Sequence, residues 1–176
     1  MLVVNIYGEP SAGKSTMAAD VFASLKMMHV NCELVTEFAK DLVWDGNTKG
    51  MQNQAYLFGN QYYRLTRIED SVDVAVVDSP LLLNIIYNHD KRLQWHFNEM
   101  VAYVDAQFDT LNVLLKCKNS SYESVGRVHS QDESIQIAKD IEFLLKTMNR
   151  DYIITNRENG CTRIVKEAMK RLNRYE

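Results

Sequence analysis

Proline, cysteine and glycine are scarce in this chain: two prolines, three cysteines and seven glycines among 176 residues. With so few prolines and glycines there is no low-complexity linker, and no internal repeat is present. Cys32, Cys117 and Cys161 are odd in number and widely spaced, with no C-x-x-C pair. Neither a disulfide framework nor a structural zinc site is expected, and a reducing cytoplasm suits the composition. Apolar runs are broken by Asp or Asn well before the length of a membrane span, so no membrane partner is expected. The start lacks a basic stretch followed by an apolar one, so no signal peptide is expected. Strong positive charge is also missing: the formal net charge is −3. The surface as a whole is therefore no magnet for nucleic acid. What is present is 46% hydrophobic and 24% charged residues, the balance of an ordinary globule. A single domain spanning residues 1–176, with a full core, is expected.

Short apolar runs alternate with helical patterns along the chain. The runs fall at Leu2 to Tyr7, Val30 to Glu37, Val72 to Asp78, Leu111 to Lys116 and Tyr152 to Thr155. Helical spacing is found over Lys14 to Met28, Gln52 to Asp70, residues 81–88, residues 93–108, Ser134 to Met148 and Thr162 to Asn173. In the first of these Met17, Val21, Phe22 and Leu25 face inward. In the second Ala55, Phe58, Tyr62 and Leu65 form the apolar side, with Gln54, Gln61 and Arg64 opposite. In the fifth Ile135, Ala138, Ile141, Leu144 and Met148 face inward. Tyrosines 56, 62 and 63 read as core or half-core. Continuously apolar strands separated by helices predict a five-stranded parallel sheet covered on both faces, a three-layer α/β fold. Ligands bind such a sheet at the C-terminal ends of its strands.

The residues after the first strand are Gly8-Glu9-Pro10-Ser11-Ala12-Gly13-Lys14-Ser15-Thr16. This is G-x-x-x-x-G-K-[ST], the phosphate-binding loop. Gly8 and Gly13 let the backbone bend so that the N–H groups of Pro10's neighbours, Ser11 and Ala12 among them, can turn inward on phosphate oxygens. Lys14 reaches the β- and γ-phosphates, and Ser15 places its hydroxyl on Mg²⁺. The helix opening at Lys14 aims its N-terminus at the anion, with Thr16 in its first turn.

Other candidates also follow strands. Asp78 ends the apolar run from Val74 and is expected to hold Mg²⁺ or its waters opposite Ser15, the alternative being a helix cap for the segment after Pro80. Glu37 follows the second strand. If that strand lies beside the first, its carboxylate approaches the γ-phosphate region and can take a proton from an attacking hydroxyl. The plain alternative is a glutamate capping the helical turn from Phe38 to Trp44. Residues 119–133 are polar and contain Gly126-Arg127-Val128-His129. A lid is expected there, with Arg127 stabilising the transferring phosphoryl group, against the alternative of a plain solvent loop. Trp44, Gln54, Gln61 and Arg64 are candidate acceptor-pocket residues: Trp44 for stacking, the glutamines for a polar edge, and Arg64 for an acceptor phosphate. Each has the alternative of a solvated face. Arg163, Lys166, Lys170, Arg171 and Arg174 against Glu167 and Glu176 read as the solvated side of the last helix, or else as a local basic patch.

Together these residues resemble the small phosphate-loop kinases, the NadR-like kinase domains in particular, a group with many bacteriophage members. Four stretches carry the likeness: GEPSAGKST (8–16), ELVTEFAKDLVW (33–44), DVAVVDSPLL (73–82) and GRVHSQDE (126–133). Thymidylate and deoxynucleoside kinases are similar in layout, with a carboxylate after the second strand and an Asp-Ser or Asp-Arg pair after the third. Here the pair is Asp78-Ser79, and Arg64 or Arg67 is a candidate for the missing arginine. Some phage kinases of this kind phosphorylate the hydroxymethyl group of 5-hydroxymethyluracil in DNA. The resemblance implies a fold of the nucleoside monophosphate kinase type, ATP and Mg²⁺ as cofactors, and γ-phosphoryl transfer to a nucleoside-like or nucleotide-like small molecule. Nicotinamide riboside or modified DNA as acceptor, a dimer, and a host cytoplasm for a phage-encoded chain stay open. Outside the kinases, a hydrolytic ATPase acting on a partner and a nucleotide-dependent binding module remain as alternatives. A guanine-reading N-K-x-D sequence, which would support the binding module, is absent. ATP is taken as the nucleotide by default, with Thr155, Asn156 and Arg157 placed where its base could sit.

Overall fold

The computed structural model describes residues 1–116 and 131–173. The strands are β1 (Leu2–Tyr7), β2 (Cys32–Val35), β3 (Val74–Val77), β4 (Asp109–Leu115) and β5 (Tyr152–Thr155). The helices are α1 (Lys14–Met27), α2 (Phe38–Trp44), α3 (Thr48–Met51), α4 (Gln54–Thr66), α5 (Leu83–Tyr87), α6 (Gln94–Asp105), α7 (Gln131–Thr147) and α8 (Gly160–Arg171). The strands form one parallel sheet in the order β2-β3-β1-β4-β5.

Strand side chains alternate between two buried faces, so each apolar run supplies both cores. Leu2, Val4 and Ile6 of β1, with Val74, Val76, Leu111 and Val113, pack against Met17, Val21 and Leu25 of α1 and Ile164 and Ala168 of α8. Val3 and Tyr7, with Ala75, Val77 and Leu114, pack on the opposite face against α4, α5, α6 and α7 through Phe58, Leu65, Leu83, Phe97, Val101 and Ile141. This is the expected three-layer α/β sandwich. Asn5 and Asn112 face each other across β1 and β4 in the second core. Their side chains bond at 3.0 Å, and Asn112 also donates to the carbonyl of Asp151 at 3.1 Å, so the buried amides are not left orphaned.

Three details depart from the sequence reading. On α4 the inward stripe is Leu57, Phe58, Gln61 and Leu65, whereas Ala55 is exposed and Tyr56, Tyr62 and Tyr63 face solvent. The stripe is rotated because Gln61, a polar residue, turns inward to serve backbone groups of the neighbouring turn. On α7 Ile135 is exposed, while its neighbour Ser134 is buried together with Ile141 and Leu144, so the inward face of the first turns is set by the serine and not by the isoleucine. Third, β2 does not lie beside β1; β3 stands between them. Among the described residues, no helix is long and apolar enough to cross a membrane.

Candidate active site

The C-terminal ends of β1, β3 and β2 lie side by side along one edge of the sheet, and each is followed by candidate site residues. After β1 the chain turns through the phosphate loop. Ala12 N–H donates to the Glu9 carbonyl at 3.1 Å, and Ser11 and Gly13 both take positive φ, 80° and 89°. A Cβ on Gly8 would stand 2.9 Å from the Leu115 carbonyl oxygen, so the loop's first glycine is needed for close approach to β4. Gly13 caps α1 in the left-handed region, and the helix runs from Lys14 with its free N–H groups at the loop. Ser11 Oγ is buried with no protein partner among the described residues.

Lys14 donates to the Glu9 carbonyl at 3.1 Å. Burial lowers its pKa from the ordinary lysine value; the nearby Glu37 and Asp78 carboxylates push it back up, and Lys40 pushes it down. Those influences bring Lys14, Glu37, Lys40 and Asp78 into one electrostatic group. Asp78 is almost fully buried just past β3, and its backbone N–H donates to the Val35 carbonyl of β2 at 3.1 Å. Glu37 precedes α2 and is half-buried. Although β3 separates β2 from β1, the turn after β2 is long enough to bring Glu37 back to the group.

Lys40 is the residue that sequence reasoning missed. Its ammonium donates to Ser15 Oγ at 2.6 Å and to Asp78 Oδ2 at 3.1 Å, and stands 3.7 Å from Glu37 Oε2. Ser15 and Asp78 are thus brought together on a cation. The signal was the Glu37-x-x-Lys40 spacing: residues three apart at a helix start share a face. Tyr87, at the end of α5, lines the same side. Burial raises its phenol to about 12, and the Glu37 carboxylate adds to the rise.

The acceptor-pocket candidates divide. Gln61 is buried; its Oε1 accepts from the Phe38 N–H at 3.0 Å and its Nε2 donates to the Thr36 carbonyl at 3.3 Å. Glu37 makes no side-chain cap for α2, so Gln61 supplies the missing acceptor. Arg64 donates to Thr36 Oγ1 at 3.0 Å, pairs with Asp41 and lies over the Phe38 ring at 5.1 Å. Both side chains spend their polar atoms on the β2–α2 turn and the start of α2. Gln54 donates to Asn84 Oδ1 at 2.6 Å. Trp44 is 86% exposed at the end of α2, and Arg67 is exposed past α4. Arg127 and His129 lie outside the described residues, as does the expected lid except for its last three positions, which open α7. Arg157, after β5, donates to the carbonyls of Ala12 at 3.0 Å and Ser11 at 3.1 Å, tying the region suggested for the base to the phosphate loop.

A family model described as AAA domain (AAA_28) matches residues 3–163. The chain belongs to this family. No curated protein matches it. Among solved structures it is similar to the deoxyadenosine kinase of M. mycoides, crystallised with dCMP and dCDP. The two are 15% identical with a TM-score of 0.56, over 99% of this chain and 100% of that one. It is also matched to the APS kinase of Mycobacterium tuberculosis at 21% identity and TM-score 0.42, over 82% and 96% of the two chains. Shikimate kinase from Bacteroides thetaiotaomicron matches at 12% identity and TM-score 0.45, over 98% of both. The first likeness shows that this AAA-domain chain shares the overall fold of that structure.

Proposed function

We propose that the chain is a phosphotransferase that moves the γ-phosphoryl group of ATP to a hydroxyl or phosphate of a nucleoside-like or nucleotide-like acceptor. The observation that carries this reading is the meeting of Lys14, Ser15, Glu37, Lys40 and Asp78 at one edge of the sheet, within a kinase fold. Lys14 and the loop N–H groups bind the β- and γ-phosphates. Ser15 Oγ and Asp78 Oδ2 already share the Lys40 ammonium, so this oxygen pair suits a hard cation and would hold Mg²⁺ or its waters. Bound there, Mg²⁺ supplies neutralisation of phosphate charge. Glu37 accepts the proton when the acceptor is a hydroxyl. A phosphate acceptor is already anionic near neutral pH, and Glu37 then orients ligand instead. Arg127 is the proposed lid arginine. Trp44 and Tyr87 flank the acceptor side; Gln61 and Arg64 support the turn that carries Glu37.

The test is transfer of radiolabelled γ-phosphate from ATP with Mg²⁺. The acceptors are nucleosides, nucleoside monophosphates, nicotinamide riboside, plain DNA and 5-hydroxymethyluracil DNA. Label on one acceptor, reduced by roughly a hundredfold or more in Lys14→Ala, is the expected outcome. Free phosphate released equally in every tube would overturn the kinase reading in favour of a hydrolytic ATPase.

A further inference from the structure

The Lys40 ammonium stands on the two side-chain oxygens that the phosphotransferase reading assigns to the metal. At 2.6 Å to Ser15 Oγ and 3.1 Å to Asp78 Oδ2 it donates a hydrogen bond to each, and its charge strengthens both. A lysine has three N–H donors and no acceptor, and Glu37 at 3.7 Å provides the third direction. A divalent ion held by the same two oxygens, directly or through its waters, would need the place the ammonium occupies. Two cations cannot share that space without severe repulsion, so ammonium and metal exclude each other.

The placement is built into the fold. Lys40 sits in the first turn of α2, and the start of α2 is fastened to α4 by Gln61 at Phe38 and by Arg64 at Thr36 and Asp41. The lysine stem is flexible, however, and its side chain is 48% exposed. The head can therefore leave while the helix stays. Three carboxylates, Glu9, Glu37 and Asp78, stand around the two ammoniums of Lys14 and Lys40. The 5% exposed Asp78 side chain is costly to leave unpaired, and Lys40 pairs it.

We infer that Lys40 is a place-holding cation of the metal site. It keeps Ser15 and Asp78 in position when no metal is bound and is displaced from them when a divalent ion arrives with the nucleotide. This rests on the phosphotransferase reading and adds to it a competition between a residue of the chain and the metal. The consequence runs against the usual effect of removing a site lysine: without Lys40 the oxygens are free, and the metal binds more tightly.

Mn²⁺ binding to the full chain saturated with ADP tests this, read from the electron paramagnetic resonance signal of free Mn²⁺. Nucleotide affinity is measured alongside with a fluorescent ADP derivative. Lys40→Met is expected to tighten Mn²⁺ binding on the order of tenfold. Lys40→Gln, which keeps a polar head, is expected to shift it in the same direction and guards against a folding defect in the first variant. Unchanged or weaker Mn²⁺ binding in both variants, with ADP bound normally by the wild type, overturns the inference alone. A wild-type chain that binds no ADP overturns the phosphotransferase reading together with it.

Discussion

Gly13 shows how one missing side chain serves two contacts. Its φ of +89° is costly for any residue with a Cβ. An added Cβ would also stand 2.3 Å from Arg157 Nε and 2.6 Å from its Nη2. The guanidinium lies there because it donates to the carbonyls of Ser11 and Ala12, holding the phosphate loop from behind. Gly13→Ala must therefore strain the backbone and push Arg157 off both carbonyls. A loss of about 1–3 kcal/mol of stability is expected, measured by urea unfolding. Part of that loss is the arginine contact, so Arg157→Ala should cost less in the Gly13→Ala background than in the wild type. Strictly additive effects would show that the arginine contact is worth nothing. The glycine was legible in the sequence through the loop motif. Its partner 144 positions away was not, because only the closing of β5 beside β4 brings Arg157 to the loop.

At the scale of elements, α7 is fastened by Glu142. Its carboxylate accepts from Lys116 after β4 at 3.0 Å, from Lys146 one turn along α7 at 3.0 Å, and from the Tyr152 hydroxyl of β5 at 3.4 Å. The two lysines hold it down from its usual 4.5 to about 2. A carboxyl depressed in the folded state adds stability above its unfolded value and loses it as pH falls through the folded value. The window is therefore from about 4.5 down to about 2. Because the group is 27% exposed, solvent screening limits the gain to less than about 1 kcal/mol. The stability gap between wild type and Glu142→Gln should be present at about pH 7 and narrow by about pH 3, read by urea unfolding at each. A gap independent of pH would mean that the contact is packing rather than charge. Elements such as α7 were legible from helical spacing, but their inward faces were less so. Gln61 reads as polar and outward, and it turns inward only because the Phe38 N–H has no cap of its own. Backbone needs of a neighbouring turn leave no mark in the periodicity of the helix that meets them.

At the scale of the whole molecule, the sheet was legible because each strand is a short apolar run with a helix after it, which leaves few arrangements besides a covered parallel sheet. The strand order was not legible: it depends on which helix packs on which face, and those contacts are distant in sequence. The order matters for the site. With β3 between β1 and β2, Asp78 stands centrally, and the phosphate loop and the Glu37–Lys40 turn approach it from either side. Neither edge of that arrangement is held by one core alone, since α1 packs on one face of the sheet and α4 on the other. A ligand gripping both the loop and the Asp78 region should therefore stabilise the fold as a unit. At a free nucleotide concentration of a hundred times its Kd, the gain is about 2.7 kcal/mol. For a chain of this length that corresponds to a rise in Tm of roughly 5–10 °C. The expected outcome is such a rise with Mg²⁺ and a non-hydrolysable ATP analogue, read by calorimetry, and none in Lys14→Ala. A single transition that shifts as one places the site in the cooperative unit. Splitting into two transitions, with only one moved by nucleotide, would show that the two cores melt separately and that the ligand touches only one of them.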